Sequence, residues 1–316
     1  MPAKRISRHV FQQCVQLLPL GARDRLMHVM ARARYGTGGN GNAEFSLEEV
    51  LAWLVALRTA GVTFEFPDAL PDGTHQRPPV AVLKHDIHNN LDRAVAMAVA
   101  EHERGIHGLY FMMGPHHLNS AYFGSSRSWS QLRYIQSLGH RLGLHLDVLD
   151  AIRRSGDLYK EVESILSRFA AEGLDIRYGN SHGNSMLKKD GAPRHDFLIE
   201  TSCETSSLPA ESALTAQLVG HVRQYSLKQI SARFGLRYWV DRIVYRDGVR
   251  MALATYVTDN SGAIRILNRG IASQRFTIDP AFTEASVAFL VRAPSVILLH
   301  PQYYRPAVFR SWKVPA

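Results

Sequence analysis

Apolar and polar positions along the chain switch between a helical period and short unbroken apolar runs. Residues 1–34 have helical spacing, and GTGGNG at 36–41 reads as a flexible link. Ser46 can cap a following helix, with Glu48 and Glu49 complementing its dipole. Leu47, Val50, Leu51, Leu54 and Val55 form the apolar face of that helix, and Gly61 stops it. A proline-containing stretch at 67–79 leads into the apolar run 80–83, which ends abruptly at Lys84-His85-Asp86. Three alternations follow. Helical spacing over 91–104 precedes the strand-like HGLYFMM at 107–113, a helix over 130–138 precedes a strand at 141–146, and a helix over 158–171 precedes a strand at 175–178. Strands alternating with helices of this length predict βαβ units and a parallel sheet. The last third is less regular: 249–257 and 263–267 read as strands, and 296–299 as a buried strand ending at His300. The chain shows no internal repeat.

Composition narrows the picture. With 316 residues, 46% of them hydrophobic, there is enough apolar surface for a sizeable core. No run approaches the roughly 18 apolar residues of a membrane-spanning helix. The basic N-terminus has Gln12, Gln13 and Gln16 inside its apolar stretch, with Arg23, Asp24 and Arg25 soon after. It therefore reads as a basic amphipathic helix rather than a cleaved signal. A cytoplasmic protein is the expectation, with peripheral membrane association through that segment possible. Cys14 and Cys203 are the only cysteines, which argues against a disulfide framework and leaves metal chemistry to His, Asp and Glu. The formal charge of +9 favours acidic partners. The basic residues are scattered and no nucleic-acid motif accompanies them. Phosphosugars, nucleotide sugars and membrane-surface glycolipids suit the same charge, and no nucleic-acid partner is expected.

Parallel α/β folds build their sites at the C-terminal ends of strands. Four places there carry candidate chemistry: Asp86 and His88 in KHDIH, His145 and Asp147 in GHRLGLHLD, His182 in GNSHGNS, and His300 in VILLHPQYY. The first two pairs are each two residues apart, on one side of an extended segment. A chain with 15 histidines produces such spacings by chance. His85, His102, His107, His116, His117, His195 and His221 are read as ordinary buried or surface histidines, and His140 as shaping the turn around Gly139. The common strand-end placement of Asp86, His88, His145, His182 and His300 instead suggests a hydrolytic metal site with an open water position.

The same residues resemble, in order and context, the polysaccharide deacetylases of carbohydrate esterase family 4, in the branch whose first motif reads R-H-D-V-D. That motif is matched by Lys84-His85-Asp86-Ile87-His88. The G-I-x-A-T-Y-F strand is matched by Gly105-Ile106-His107-Gly108-Leu109-Tyr110-Phe111, and G-H-E-I-G-L-H by Gly139-His140-Arg141-Leu142-Gly143-Leu144-His145. The S-x-H-G segment is matched by Ser181-His182-Gly183-Asn184. The late Y-x-S-D-S-G and L-x-H-P-x-x-W stretches are echoed by Tyr256–Gly262 and Leu298–Tyr304. The resemblance covers residues 80–305.

The resemblance implies an α/β protein, a distorted (β/α) barrel over 66–316 with an N-terminal helical extension over 1–65. The reaction it implies is metal-assisted removal of an acetyl or formyl group from an amino sugar, in surface-polysaccharide or lipopolysaccharide synthesis. Asp86 then aligns with the general base, and His88, His145 and His182 with the ligands of a divalent metal, most simply zinc. His300 aligns with the histidine that protonates the leaving amine, and Asp259 with a late supporting acid. Asn180 and Asn184, or backbone N–H groups beside Gly183, are candidates to assist the oxyanion, and Asn184 and Tyr303 are candidate substrate contacts. Of the bulky residues Trp129, Trp239, Tyr303 and Tyr304, Tyr303 is the preferred sugar-stacking residue because it follows His300 closely. The substrate is expected among acylated sugars, nucleotide sugars and glycans. Two departures stand out: His88 replaces the family's aspartate, and Leu149 stands where a further histidine is common. They keep two alternatives open, hydrolysis of a small non-sugar amide and a non-catalytic glycan-binding or assembly role.

Overall fold

The computed structural model describes residues 44–70, 79–88, 91–114, 126–182, 188–189, 192–193, 225–251, 255–267 and 269–305. The expected helix over 1–34, the link at 36–41 and Asn184 lie outside the described residues. A parallel sheet is the centre of the fold. Its strands are β1 Val80–Ile87, β2 Leu109–Met113, β3 Arg141–Leu146, β4 Tyr178–Ser181, β5 Tyr238–Val240, β6 Val244–Arg246, β7 Val249–Met251, β8 Thr255–Thr258, β9 Arg265–Ile266, β10 Ile271–Ala272 and β11 Ser295–Leu299. The spatial order is β7-β6-β5-β4-β3-β2-β1-β11-β8-β9-β10, and the short strand Thr63–Phe64 also pairs with β1. The seven strands from β5 to β8 run parallel, and antiparallel strands finish both edges. Among the described residues no ladder joins the two edges. The arrangement is mixed α/β, which bears out the class expected from the sequence, and the distorted (β/α) barrel itself is supported no further than that.

The described residues add seven helices: α1 Leu47–Thr59, α2 Leu91–His102, α3 Ser126–Ser137, α4 Val148–Ser155, α5 Leu158–Ala171, α6 Leu227–Phe234 and α7 Pro280–Leu290. Their starts are chemically marked. Asp157, Ser226 and Asp279 accept hydrogen bonds from Tyr159, Gln229 and Phe282 backbone N–H groups, and Pro280 opens α7 where its missing N–H costs nothing. Ser46 does occupy the N-cap position of α1, but its side chain makes no cap hydrogen bond.

The period-two alternation of strand side chains sorts the core into faces. On β2, Tyr110 and Met112 join the cluster built from α2, α3, α4 and α5, while Leu109 and Phe111 join a smaller cluster with Tyr178, Tyr238, Val240 and Val296. A third cluster joins α1 to Ala81, Leu83, Ile297, Leu299 and Tyr304, so the described part of the N-terminal region packs directly on the sheet. On β1, Ala81 and Leu83 face helices, and Val82 faces the inner side. By alternation Lys84 and Asp86 follow Val82, and His85 points the other way.

His85 confirms that sorting. Its ring is fully buried 3.0 Å from Glu101 of α2, whose other oxygen accepts from Tyr110 Oη at 2.8 Å. Burial pushes the Glu101 carboxyl up, but His85, and then His140, bring it below its ordinary value. His140 accepts from the Gly108 N–H and donates to the Ala98 carbonyl, and burial holds its pKa down. It therefore bridges β2 and α2, and the ring lying against Gly139 is that of His107. His85 thus stands against a carboxylate and not a backbone carbonyl, and His140 packs in the core where His107, not His140, meets Gly139.

Candidate metal centre

Asp86, His88, His145, His182 and His300 line one cavity at the C-terminal edge of the parallel sheet, and Asp147 stands against His182. Asp86 lies near the end of β1 and His88 just beyond it; His145 is on β3, Asn180 on β4, and His182 directly follows β4. Asp259 and His300 follow β8 and β11, neighbours in the sheet. Two glycines make room for this. A Cβ at Gly143 would collide with the Phe111 ring, and one at Gly179 would sit 2.5 Å from the Trp239 indole. The adjoining strands can therefore approach while His145 and Asn180 stay on the site side.

The polar geometry is a connected network. His88 Nε2 and His145 Nε2 are 3.1 Å apart, with the rings nearly parallel. His145 Nδ1 donates to Asn180 Oδ1 at 2.7 Å, and Asn180 Nδ2 donates to Asp86 Oδ1 at 2.6 Å. That leaves Asp86 Oδ2 towards the cluster, 3.7 Å from His145 Nε2. Asp147 Oδ2 stands 3.2 Å from His182 Nδ1, and the Gln302 amide stands 3.2 Å from His88 Nδ1. On the opposite flank, Asp259 is wholly buried. It binds His300 Nδ1 at 2.5 Å, the His300 backbone N–H at 2.7 Å and Tyr304 Oη at 2.8 Å.

Burial and neighbours set the charges. Desolvation alone would raise Asp86, but His145, Lys84, His300 and the Asn180 amide overcome it and hold the carboxyl at about 2. Desolvation is the largest influence on His145 and wins there, lowering the imidazole to about 3 despite the pull of Asp86. Desolvation also opposes charge on His300, yet Asp259 prevails and raises its pKa above the ordinary 6.5. The site thus contains a neutral imidazole, an ionised carboxylate and a histidine that favours its protonated form.

The donor set fits a divalent metal. Nitrogens of His88, His145 and His182 lie within 4.8 Å of one another, and so do ligand atoms of Asp86, His88 and His300. With Nδ1 of His145 on Asn180 and Nδ1 of His182 on Asp147, the nitrogen each offers to a shared ion is Nε2. Such hydrogen bonds on the far ring nitrogen orient metal-binding histidines. Two nitrogens about 2.0–2.1 Å from a tetrahedral zinc stand about 3.4 Å apart. The 3.1 Å between His88 and His145 is close to that edge. Neutral imidazole is also the ligating form, which the low pKa of His145 preserves.

Several expectations are sharpened. Asn180 is fully buried and both its amide ends are engaged, so it orients His145 and Asp86 and does not face an oxyanion. Trp129, Trp239 and Tyr304 are buried packing residues, whereas Tyr303 lines the cavity, its ring 5.3 Å from that of His300. Lys84 and Asp241 were not singled out from the sequence. Buried Lys84 donates to the Val240 carbonyl at 2.8 Å, and Asp241 accepts from the Ser181 N–H, the Ser181 hydroxyl and Trp239 Nε1. A lysine ending an apolar run was the available signal for the first; nothing local marks the second. The cavity, about 230 Å³, holds both.

Fold and site together define a mixed α/β protein with a histidine-rich pocket able to hold a metal ion. No protein-family model matches the chain, and no curated protein does. Among solved structures, the chain is similar to the catalytic domain of a peptidoglycan N-acetylglucosamine deacetylase from Eubacterium rectale. The identity is 13% and the TM-score 0.36, over 75% of this chain and 82% of that one. It is also similar to a mutant of a CE4 family pseudoenzyme with restored enzymatic activity, at 11% identity and TM-score 0.32, over 72% of this chain. The alignment spans 58% of that second protein's length. Likeness at this level is loose, and the chemistry proposed below rests on the site itself.

Proposed function

We propose that the protein is a metal-dependent hydrolase that removes an N-acetyl or N-formyl group from an amino sugar or sugar conjugate, in the synthesis of a surface polysaccharide or lipopolysaccharide. One observation carries the reading: three convergent imidazoles share a site with an aspartate held by Asn180 and a histidine backed by Asp259. In this reading His88, His145 and His182 hold the metal, and a three-imidazole set with an open position suits zinc. A divalent ion held there would supply Lewis acidity, for the acyl oxygen and for water.

The chain's own residues do the rest. Asn180 anchors one oxygen of Asp86, leaving the other to accept a proton from the attacking water. An amine leaves poorly unless protonated. His300, kept charged by Asp259 at Nδ1, gives its proton from Nε2 to the departing nitrogen. Tyr303 offers an aromatic face beside His300 against which the sugar can pack. Asp86→Asn and His300→Ala are each expected to lower acetate or formate release from N-acyl amino sugars by orders of magnitude while leaving metal content unchanged. Full activity in both variants would sink the reading.

A further inference from the structure

Two arginines stand at the mouth of the same cavity. Arg242 lies in the turn after β5 and Arg265 opens β9; both are exposed and both line the pocket. Each is steered to its place. The Arg242 guanidinium lies 5.7 Å from the centre of the Tyr256 ring, which Lys84 also approaches at 5.8 Å. Arg265 Nη1 donates to the Asn260 carbonyl at 3.3 Å. Among the described residues no carboxylate is within ion-pair distance of Arg265, while the pocket's own acids are committed deeper inside. Asp241 is bound by Ser181 and Trp239, Asp86 by Asn180, and both feel the Lys84 ammonium. The interior acids are satisfied, and Arg242 and Arg265 both line the rim. Guanidinium is the side chain best shaped for two-pronged binding of phosphate or carboxylate. The cavity's volume, about 230 Å³, is below the roughly 300–1,000 Å³ of clefts that enclose drug-sized ligands. An anionic substituent on a sugar whose acyl group reaches the histidines would therefore meet the rim.

We infer that the substrate of this site is an anionic N-acyl amino sugar, and that Arg242 and Arg265 select it by clamping its phosphate or carboxylate. The inference rests on the deacylase reading for the sugar, and on the arginines for the charge. The test is calorimetric titration of the zinc-supplemented full chain at low salt with N-acetylglucosamine, N-acetylglucosamine 1-phosphate and N-acetylmuramic acid. Released acetate is assayed in the same samples. One anionic sugar is expected to bind at least about tenfold more tightly than the neutral one, as charge-assisted hydrogen bonds allow. Whether the phosphate or the carboxylate sugar wins identifies the source of the charge. The preference should vanish in the Arg242→Ala/Arg265→Ala variant and shrink with added salt. Equal binding of all three sugars, binding of none, or a preference that survives the double variant overturns the inference. Arginine-dependent preference with no acetate released would uphold the ligand class and refute hydrolysis. Acetate release from the neutral sugar with no preference would do the reverse.

Discussion

Acidification should destabilise the metal-free protein through His145, because burial opposes its protonation. Burial lowers this imidazole from the ordinary 6.5 to about 3 in the folded state. Below pH 6.5 the unfolded chain binds a proton there and the folded chain does not, so stability falls as pH falls, by about 1.4 kcal/mol per unit. At pH 4.5 the loss is about 3 kcal/mol relative to neutral pH, and near pH 3 it reaches about 4 kcal/mol, a large share of a domain's stability. Asp86, held at about 2, gives up its contribution only as pH falls from about 3.8 through that value, outside the 4.5–6.5 window. The raised His300 acts in the opposite sense and above the window. Its contribution is complete below 6.5 and fades as pH rises through its higher folded pKa. His145→Asn removes the titrating group, and an amide can still bond Asn180. Urea unfolding of chelator-treated wild type and variant at pH 6.5, 5.5 and 4.5 should show the wild type losing about 2 kcal/mol more than the variant between the first and last of these, since the unfolded imidazole is already half protonated at pH 6.5. Parallel profiles would refute the burial argument, whatever the variant's absolute stability.

Other consequences follow from single contacts. Asp147→Asn should weaken metal affinity by about 10–100-fold, as loss of an orienting partner does elsewhere; chelator competition measures it, and unchanged affinity would make the 3.2 Å contact to His182 irrelevant. Asp259→Asn removes the group that raises His300, so the high-pH limb of kcat/KM, where the protonated form is lost, should move to lower pH. A limb that stays in place would remove His300 as the acid. Gly179→Ala should cost about 1–3 kcal/mol or more in denaturant melts, because the new methyl meets the Trp239 indole at 2.5 Å; a neutral result would mean the strands can separate there.

Much of this architecture is legible in the residues. Strand β3 and helix α5 have the bounds their hydrophobic patterns predict, and β1, β2 and β11 differ at the ends only. The errors have physical causes. The strand expected at 175–178 is β4, Tyr178–Ser181, whose Gly179, Asn180 and Ser181 look like a turn until the neighbouring strands are known to press on them. Helix α7 carries a readable start in Asp279-Pro280, yet the preceding stretch has no apolar rhythm to announce it. The candidate ligands were legible because strand ends concentrate chemistry in parallel sheets. Their orienting partners were not, since Asp147, Asn180, Gln302 and Lys84 become partners only through pairing across the sheet. Arg242, in the turn after β5, and Arg265, at the start of β9, are an extreme case: two ordinary surface arginines in the sequence and one rim in the fold.

The central claim, a metal held by His88, His145 and His182, is tested most directly by elemental analysis of freshly purified protein beside its His145→Ala variant. The account predicts near-stoichiometric zinc or another divalent transition metal in the wild type and its loss in the variant. A wild type that takes up no metal even after reconstitution, or a variant that retains as much, would contradict it.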